Sequence, residues 1–142
     1  YWEHCTERTL PNPGVVDFLR SCRARIAMLT NKPLRPTEKL LEHFHLRDCF
    51  EFILCGDTTP ERKPSPAGLL KIIEMAGESR EETVMVGDDQ PDILASRAAG
   101  VDCITLLCGF GKPQNLLPLH PENTVESYAE MCELLKKLVL SV

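Results

Sequence analysis

The chain has 142 residues, of which 43% are hydrophobic and 26% are charged, a balance typical of one soluble globular domain with a sizeable core. No stretch is long and apolar enough to cross a membrane, and a net charge of -5 without any cluster of Lys and Arg argues against a general nucleic-acid-binding protein. The seven cysteines form no Cys-x-x-Cys pair, so we interpret them as buried hydrophobic side chains in a reducing compartment, which predicts a cytoplasmic location.

The first part of the chain predicts two helices and two strands. Pro13 precedes a helix, and the apolar residues 26–29 predict a buried strand that ends in the polar sequence of residues 30–33. Pro36 is expected to open the second helix, and residues 52–54 form the next apolar run. Each predicted strand is short and is followed by polar or turn-forming residues.

The middle of the chain repeats this alternation. Ser65 is expected to cap a helix that has Pro66 in its first position. Residues 84–86 predict a strand buried on both faces, and Gly87 ends it just before a group of carboxylates. A further helix is expected to follow these carboxylates and to stop at Gly100.

The last part of the chain predicts one more strand and one more helix. Residues 103–107 form an apolar run, residues 109–111 are expected to be a flexible connection, and a proline-rich link follows. The last helix is expected to start near Ser127, with Glu130 completing a capping box. Strands that alternate with helices predict an α/β fold with a parallel sheet that is covered on both faces.

Polar and charged side chains follow three of the predicted strands. Thr30 and Asn31 follow the first, Lys63 lies after the second, and Asp88 and Asp92 follow the third. Because the carboxyl ends of parallel strands share one edge, where ligands bind, we expect these residues to converge on one pocket. Carboxylates there suit Mg²⁺, and the whole set suits a phosphoryl group. The alternative interpretation of the carboxylates is a solvated turn with a helix cap.

With these motifs in this order, the chain resembles the haloacid dehalogenase superfamily of phosphohydrolases, and within it the phosphoglycolate phosphatase group. The motifs that carry the resemblance are Pro13-Gly14-Val15, Leu29-Thr30-Asn31-Lys32-Pro33, Glu61-Arg62-Lys63-Pro64-Ser65-Pro66, Gly87-Asp88-Asp89-Gln90-Pro91-Asp92-Ile93, Ala98-Ala99-Gly100 and Gly109-Phe110-Gly111. The resemblance implies a three-layer, Rossmann-like α/β core with a parallel sheet, of which residues 1–142 form the C-terminal portion.

The resemblance also implies a function. It implies Mg²⁺-dependent hydrolysis of a small phosphorylated metabolite through a phospho-aspartate intermediate. The Thr30 hydroxyl and the Asn31 backbone amide would bind the phosphoryl oxygens, and Lys63 would neutralise charge between the nucleophile and the phosphate. Asp88 would bind the metal ion directly, and Asp92 would hold a metal-bound water or the Lys63 ammonium group.

One part of the family pattern is missing from the chain. Family members carry their nucleophile in an Asp-x-Asp-x-Thr motif at the end of an early strand in the middle of the sheet, and a helical cap follows it. This sequence contains no Asp-x-Asp. We therefore expect the chain to be inactive alone and to need an N-terminal segment as the partner that completes its sheet.

Two alternatives stay open on the sequence alone. The chain can be a naturally short, non-catalytic relative that binds a phosphate-bearing ligand or a protein partner through the same pocket. It can also derive from a phosphomutase or another phosphotransferase of the superfamily, since that distinction depends on cap residues that this sequence does not contain. The identity of the substrate is not encoded in the core motifs.

Overall fold

The structure of the protein is a computed structural model that describes residues 10–140, without the side chain of residue 140. The strands are β1 (Ala27–Leu29), β2 (Phe52–Leu54), β3 (Val84–Gly87), β4 (Asp102–Leu106) and β5 (Asn123–Val125). The helices are α1 (Val15–Ser21), α2 (Leu34–His43), α3 (Ala67–Ala76), α4 (Gln90–Ala99), α5 (Pro113–Leu116) and α6 (Tyr128–Leu140), with single 3₁₀ turns at Arg47–Cys49 and Leu117–Leu119. Strands and helices alternate through most of this order, as the sequence predicts.

The strands form two separate parallel sheets. β1 pairs with β2 so that Ala27 lies opposite Phe52, and β4 pairs with both β3 and β5. Within the described residues, one edge of β1 and one edge of β3 therefore have no strand beside them. Both edges line one groove, to which β1 contributes Met28 and Leu29 and β3 contributes Val86. The two sheets are thus separated by a groove bounded by one unpaired edge from each.

Helices cover both faces and join the two sheets. On one face, Phe18 of α1 packs with Ile104 of β4, while Val16 of the same helix packs with the cluster around β1 and β2. On the other face, Leu69 of α3 packs with Met85 of β3. Successive strand residues point to opposite faces, so these contacts belong to two layers of helices around the sheets. The predicted three-layer α/β core is confirmed.

Some predicted element boundaries are wrong by one or two residues. α2 begins at Leu34 and not at Pro36, because the Leu34 N–H has a distant acceptor in Asp57 Oδ1 at 2.8 Å. Pro36 then sits in the first turn, where its missing N–H removes no intrahelical bond. α3 begins one residue later than predicted, and Ser65 Oγ accepts a hydrogen bond from the Ala67 N–H at 3.2 Å.

The proline-rich link contains two elements that the sequence analysis missed. They are α5, of four residues, and β5, of three residues. Both are too short for a periodic pattern to predict them, and β5 buries only Val125. At the following helix, Ser127 Oγ accepts a hydrogen bond from the Glu130 N–H at 3.1 Å, as predicted, whereas the Glu130 carboxylate accepts from the Glu126 N–H at 2.8 Å.

The interpretation of the cysteines as buried side chains is confirmed for two of the six described, while Cys22, Cys49 and Cys103 are only partly buried. Cys55 and Cys132 are buried, and burial raises the pKa of both thiols. Cys108 is exposed, so the interpretation is wrong for that residue, and Cys5 lies outside the described residues. Along residues 10–140, no helix is long and apolar enough to span a membrane.

The unpaired edges predict how the isolated chain behaves. A buried backbone N–H or C=O without a partner costs about 1 to 3 kcal/mol, and open strand edges template aggregation. We expect the 142-residue chain alone to aggregate on heating or to unfold without a sharp transition, as measured by circular dichroism and light scattering, with the complete protein as the control. A cooperative, reversible melt of the monomeric chain would contradict this prediction.

Candidate functional site

The groove between the two sheets has a volume of about 410 Å³. Its apolar lining comes from strand and helix residues, including Met28, Leu41 and Leu106. Its polar lining comes from Thr30, Lys32, Thr37, Lys63, Asp88 and Asp92. Thr30 and Asp88 directly follow β1 and β3, so the groove opens at the carboxyl ends of these strands. This is the edge at which the sequence predicts the site.

A buried ion pair joins the two sides of the groove. The Lys63 Nζ lies 2.5 Å from Asp92 Oδ1, and the two side chains are only 11% and 8% exposed. The same ammonium donates a hydrogen bond to the Leu29 carbonyl oxygen at 3.0 Å. No other described residue accepts a hydrogen bond from the Lys63 ammonium group, so one of its three N–H groups is available to donate to a ligand. Lys63 is thereby held against the end of β1 and the start of α4.

The second carboxylate oxygen of Asp92 closes the turn between β3 and α4. Asp92 Oδ2 accepts hydrogen bonds from the backbone N–H groups of Asp88 at 3.0 Å and Asp89 at 3.2 Å. Asp89 is the N-cap of α4, and its Oδ1 accepts a hydrogen bond from the Gln90 N–H at 2.8 Å. Asp89 and Asp92 also form a capping box, in which the side chain of each accepts from the backbone N–H of the other. Both oxygens of Asp92 therefore have partners, and this carboxylate holds the Lys63 ammonium group while it caps the helix.

Asp88 is held by the loop at residues 109–111. Its Oδ2 accepts a hydrogen bond from the Phe110 N–H, and its carbonyl oxygen accepts one from the Gly111 N–H, both at 2.9 Å. A Cβ on Gly109 would lie 2.3 Å from the Asp88 Cβ, so only glycine lets the loop come this close. The sequence predicts a flexible connection at these residues, whereas the structure makes them the support of Asp88.

Thr30 and Asn31 lie at the end of β1, as predicted. Thr30 Oγ1 accepts a hydrogen bond from the Lys32 N–H at 3.2 Å, and no described residue accepts its hydroxyl proton. The Asn31 side chain contacts the backbone of Lys63, donating to the carbonyl oxygen at 2.9 Å and accepting from the N–H at 3.0 Å. These Asn31 contacts had no signal in the sequence, because they join residues in two different loops.

The carboxylates at the groove suit a magnesium ion. Among residues 10–140, no three His, Cys, Asp or Glu side chains are arranged to hold a metal ion. Asp88 Oδ1, however, receives no hydrogen bond from the described residues, so it offers one hard oxygen at the groove. Because Mg²⁺ usually takes only one or two carboxylates and keeps water and phosphate ligands, the residues present fit that ion.

Comparison with known proteins identifies the family. Residues 3–100 match the haloacid dehalogenase-like hydrolases. The chain belongs to that family. The family match, which covers well over half of this chain, confirms the resemblance predicted from the motifs around Thr30, Lys63 and Asp88.

Relatives and solved structures within this family cover most of the chain. Phosphoglycolate phosphatase 1 from Pseudomonas aeruginosa is 43% identical over 122 residues, which are 84% of this chain and 45% of the relative. A phosphoglycolate phosphatase from Chromobacterium violaceum is 40% identical over 96% of this chain and 61% of the relative. The crystal structure of a predicted phosphoglycolate phosphatase from Haemophilus somnus has a TM-score of 0.88 and 26% identity, covering 94% of this chain and 61% of that chain. The chain therefore spans about half the length of the proteins it matches.

The support of Asp88 can be tested by adding one methyl group to the loop. In a Gly109→Ala variant of the complete protein, the new Cβ would collide with Asp88, so we expect a destabilisation of about 1 to 3 kcal/mol and faster hydrogen exchange of the Phe110 amide. Gly77→Ala is the control for the amide exchange alone: its φ of 67° makes alanine unfavourable there, but an added Cβ meets no atom within 4 Å, so the local protection of the Phe110 amide should not change. Equal protection of the Phe110 amide in the wild type and in Gly109→Ala would contradict the proposed support.

Proposed function

We propose that this chain supplies the phosphate-binding and metal-binding part of a phosphomonoesterase that acts on a small phosphorylated metabolite, as a phosphoglycolate phosphatase does. The observation that carries the proposal is the Lys63 ammonium group, which is buried, fixed by Asp92 and the Leu29 carbonyl oxygen, and left with one free N–H in the groove. A fixed cation with a free donor stabilises the charge that develops on a transferring phosphoryl group. The phosphoglycolate phosphatases among the relatives support this choice of reaction.

Thr30 and Lys63 line the groove and Asn31 follows Thr30 at the end of β1, so we propose that donors of these three residues bind phosphoryl oxygens together. The Thr30 hydroxyl proton and the Asn31 backbone N–H have no acceptor among the described residues, and Lys63 adds the third donor. All three belong to rigid ends of β1 or to the loop fixed against it. Donors that are already oriented need no reorganisation during the reaction, which is how such sites lower the barrier.

The charge of the site supports a requirement for Mg²⁺. The carboxylates of Asp88 and Asp92 balance the ammonium groups of Lys32 and Lys63 in the groove lining, so no net positive charge is left there to offset an anionic phosphate. We propose that Asp88 Oδ1 binds the metal ion and that Asp92 acts through its hold on Lys63. When bound, Mg²⁺ would neutralise phosphate charge and act as a Lewis acid. The position of Asp88 at the groove is the support for this assignment.

The nucleophile is proposed to come from a segment outside this sequence. An extended strand between the unpaired edges of β1 and β3 would satisfy both, and the apolar groove lining would cover its side chains. Its carboxyl end would fall beside Lys63 and Asp88. An aspartate there would attack phosphorus as the bond to the leaving oxygen breaks, and water would then hydrolyse the phospho-aspartate. A cytoplasmic location remains a prediction of the free thiols.

Activity of the complete protein tests the roles of Lys63 and Asp88. We expect Lys63→Ala and Asp88→Asn each to lower kcat on the order of 10²- to 10³-fold, the typical cost of removing a charge-stabilising group. Asp88→Asn should also raise the Mg²⁺ concentration needed for half-maximal activity. Exposed Lys71→Ala and Asp102→Asn are matched controls with wild-type kcat. Near-normal phosphatase activity in Lys63→Ala or Asp88→Asn would refute the assigned role of that residue.

The transcript tests the origin of the nucleophile. We expect the codons in frame upstream of residue 1 to encode Asp-x-Asp-x-Thr at the end of an apolar strand, because the groove between the sheets is lined on both sides by unpaired strand edges. The measurement is the sequence of the transcript, translated in frame. A stop codon followed by a start codon next to residue 1 would instead support a short, non-catalytic binding protein.

A further inference from the structure

The Asn31 side chain pairs with both backbone polar groups of Lys63. Its Nδ2 donates to the Lys63 carbonyl oxygen at 2.9 Å, and its Oδ1 accepts from the Lys63 N–H at 3.0 Å. Only one orientation of the amide satisfies both contacts, because the carbonyl needs a donor and the N–H needs an acceptor. The side chain therefore forms two hydrogen bonds across 32 positions of sequence.

These two bonds are what hold the backbone of Lys63. The residue lies in the loop between β2 and α3, where no helix or strand supplies partners, and no other described group bonds its N–H or C=O. The next residue, Pro64, has no N–H to contribute. Without Asn31, the backbone at Lys63 would have no hydrogen-bonded anchor within the described residues.

Asn31 is itself fixed by a close backbone approach. A Cβ on Gly56 would lie 2.2 Å from the Asn31 carbonyl oxygen, and the Gly56 N–H donates to the Lys32 carbonyl oxygen at 2.9 Å. The Gly56 carbonyl oxygen in turn accepts a hydrogen bond from Arg62 Nε at 3.2 Å. The segment that carries Asn31 and the loop that carries Lys63 are thus also joined on the N-terminal side of Lys63, through Gly56 and Arg62.

We propose that the Asn31 side chain is the positioning residue for the Lys63 ammonium group. Lysine carries its charge on a flexible four-carbon stem, so the ammonium is well placed only if the backbone beneath it is fixed. Asn31 fixes that backbone, and the ammonium then reaches Leu29 and Asp92 at once. This role is separate from the phosphate contact assigned to the Asn31 backbone amide, and its catalytic consequence rests on the proposed phosphatase function.

The chemical reactivity of Lys63 tests the proposal without any assay of activity. In the complete protein, reductive methylation with peptide mass spectrometry compares the labelling of Lys63 with that of Lys71, which is 57% exposed and serves as the internal reference. In the wild type, Lys63 should label slowly because it is 11% exposed and ion-paired. In Asn31→Ala, we expect Lys63 to label about 10-fold faster relative to Lys71, the effect of losing one to two net hydrogen bonds.

Two further variants provide a control for the labelling and an alternative substitution at residue 31. Exposed Asn115→Ala is the matched control and should leave the ratio of Lys63 to Lys71 labelling unchanged. Asn31→Asp keeps the size of the side chain and its acceptor for the Lys63 N–H but places a carboxylate oxygen against the Lys63 carbonyl oxygen, so faster labelling of Lys63 is again expected; if Asn31→Ala does not fold, this variant decides. Wild-type labelling of Lys63 in a folded Asn31 variant would overturn the proposal.

Kinetics then separate this proposal from the proposed function. Asn31→Ala should lower kcat for phosphomonoester hydrolysis by roughly 10²-fold, the cost of displacing a catalytic group by about 1 Å. Faster labelling of Lys63 with unchanged kcat, in a protein that Lys63→Ala inactivates, would refute a catalytic consequence of the positioning. If Lys63→Ala itself keeps its activity while Asn31→Ala still changes the labelling, the proposed function fails and the positioning of Lys63 stands.

Discussion

The ion pair between Lys63 and Asp92 is the interaction on which the site depends. It links the loop after β2 to the first turn of α4, and so joins parts of the chain that belong to different sheets. Burial strengthens the attraction but also removes both charges from water, so such a pair persists only when further hydrogen bonds satisfy it. Here the Leu29 carbonyl oxygen and two backbone N–H groups at the start of α4 do so. Breaking it from one side would leave a buried charge, at a cost of about 3 to 5 kcal/mol.

The sequence allowed two interpretations of the acidic turn, a ligand-binding site or a helix cap, and Asp92 contributes to both. One of its oxygens completes the capping box of α4, and the other meets the ammonium group. The N-terminus of a helix favours a negative charge, so the cap and the ion pair reinforce each other. The two oxygens of Asp88 are divided in the same way. Its Oδ2 accepts a hydrogen bond from the loop after β4, and its Oδ1 has no hydrogen-bond donor among the described residues and is available to a ligand in the groove. Rigid side chains of this kind suit a site that acts by orientation and charge.

Much of the fold and of the candidate site was predictable because the signals are local. Apolar runs, helical spacing, and glycine and proline positions depend on neighbours in sequence, and they indicated four of the five strands and the parallel α/β order. Because ligands bind where such strands end, Thr30, Lys63 and Asp88 could be expected to share one pocket, and the groove lining agrees. The first residue of α2 could not be predicted from local sequence, because the Leu34 N–H donates to Asp57, which lies in another loop.

The sequence by itself determined the family, the order of the elements and which residue types stand at the strand ends, since these follow from short-range patterns and from the identity of the side chains. Only the tertiary structure decided the partners. In the folded chain, β5 pairs with β4, and one Asp92 oxygen accepts a hydrogen bond from the Lys63 ammonium group. The Phe110 N–H donates to Asp88, and the Asn31 side chain bonds the Lys63 backbone. These contacts join residues far apart in the chain, and no local pattern encodes the distances between them.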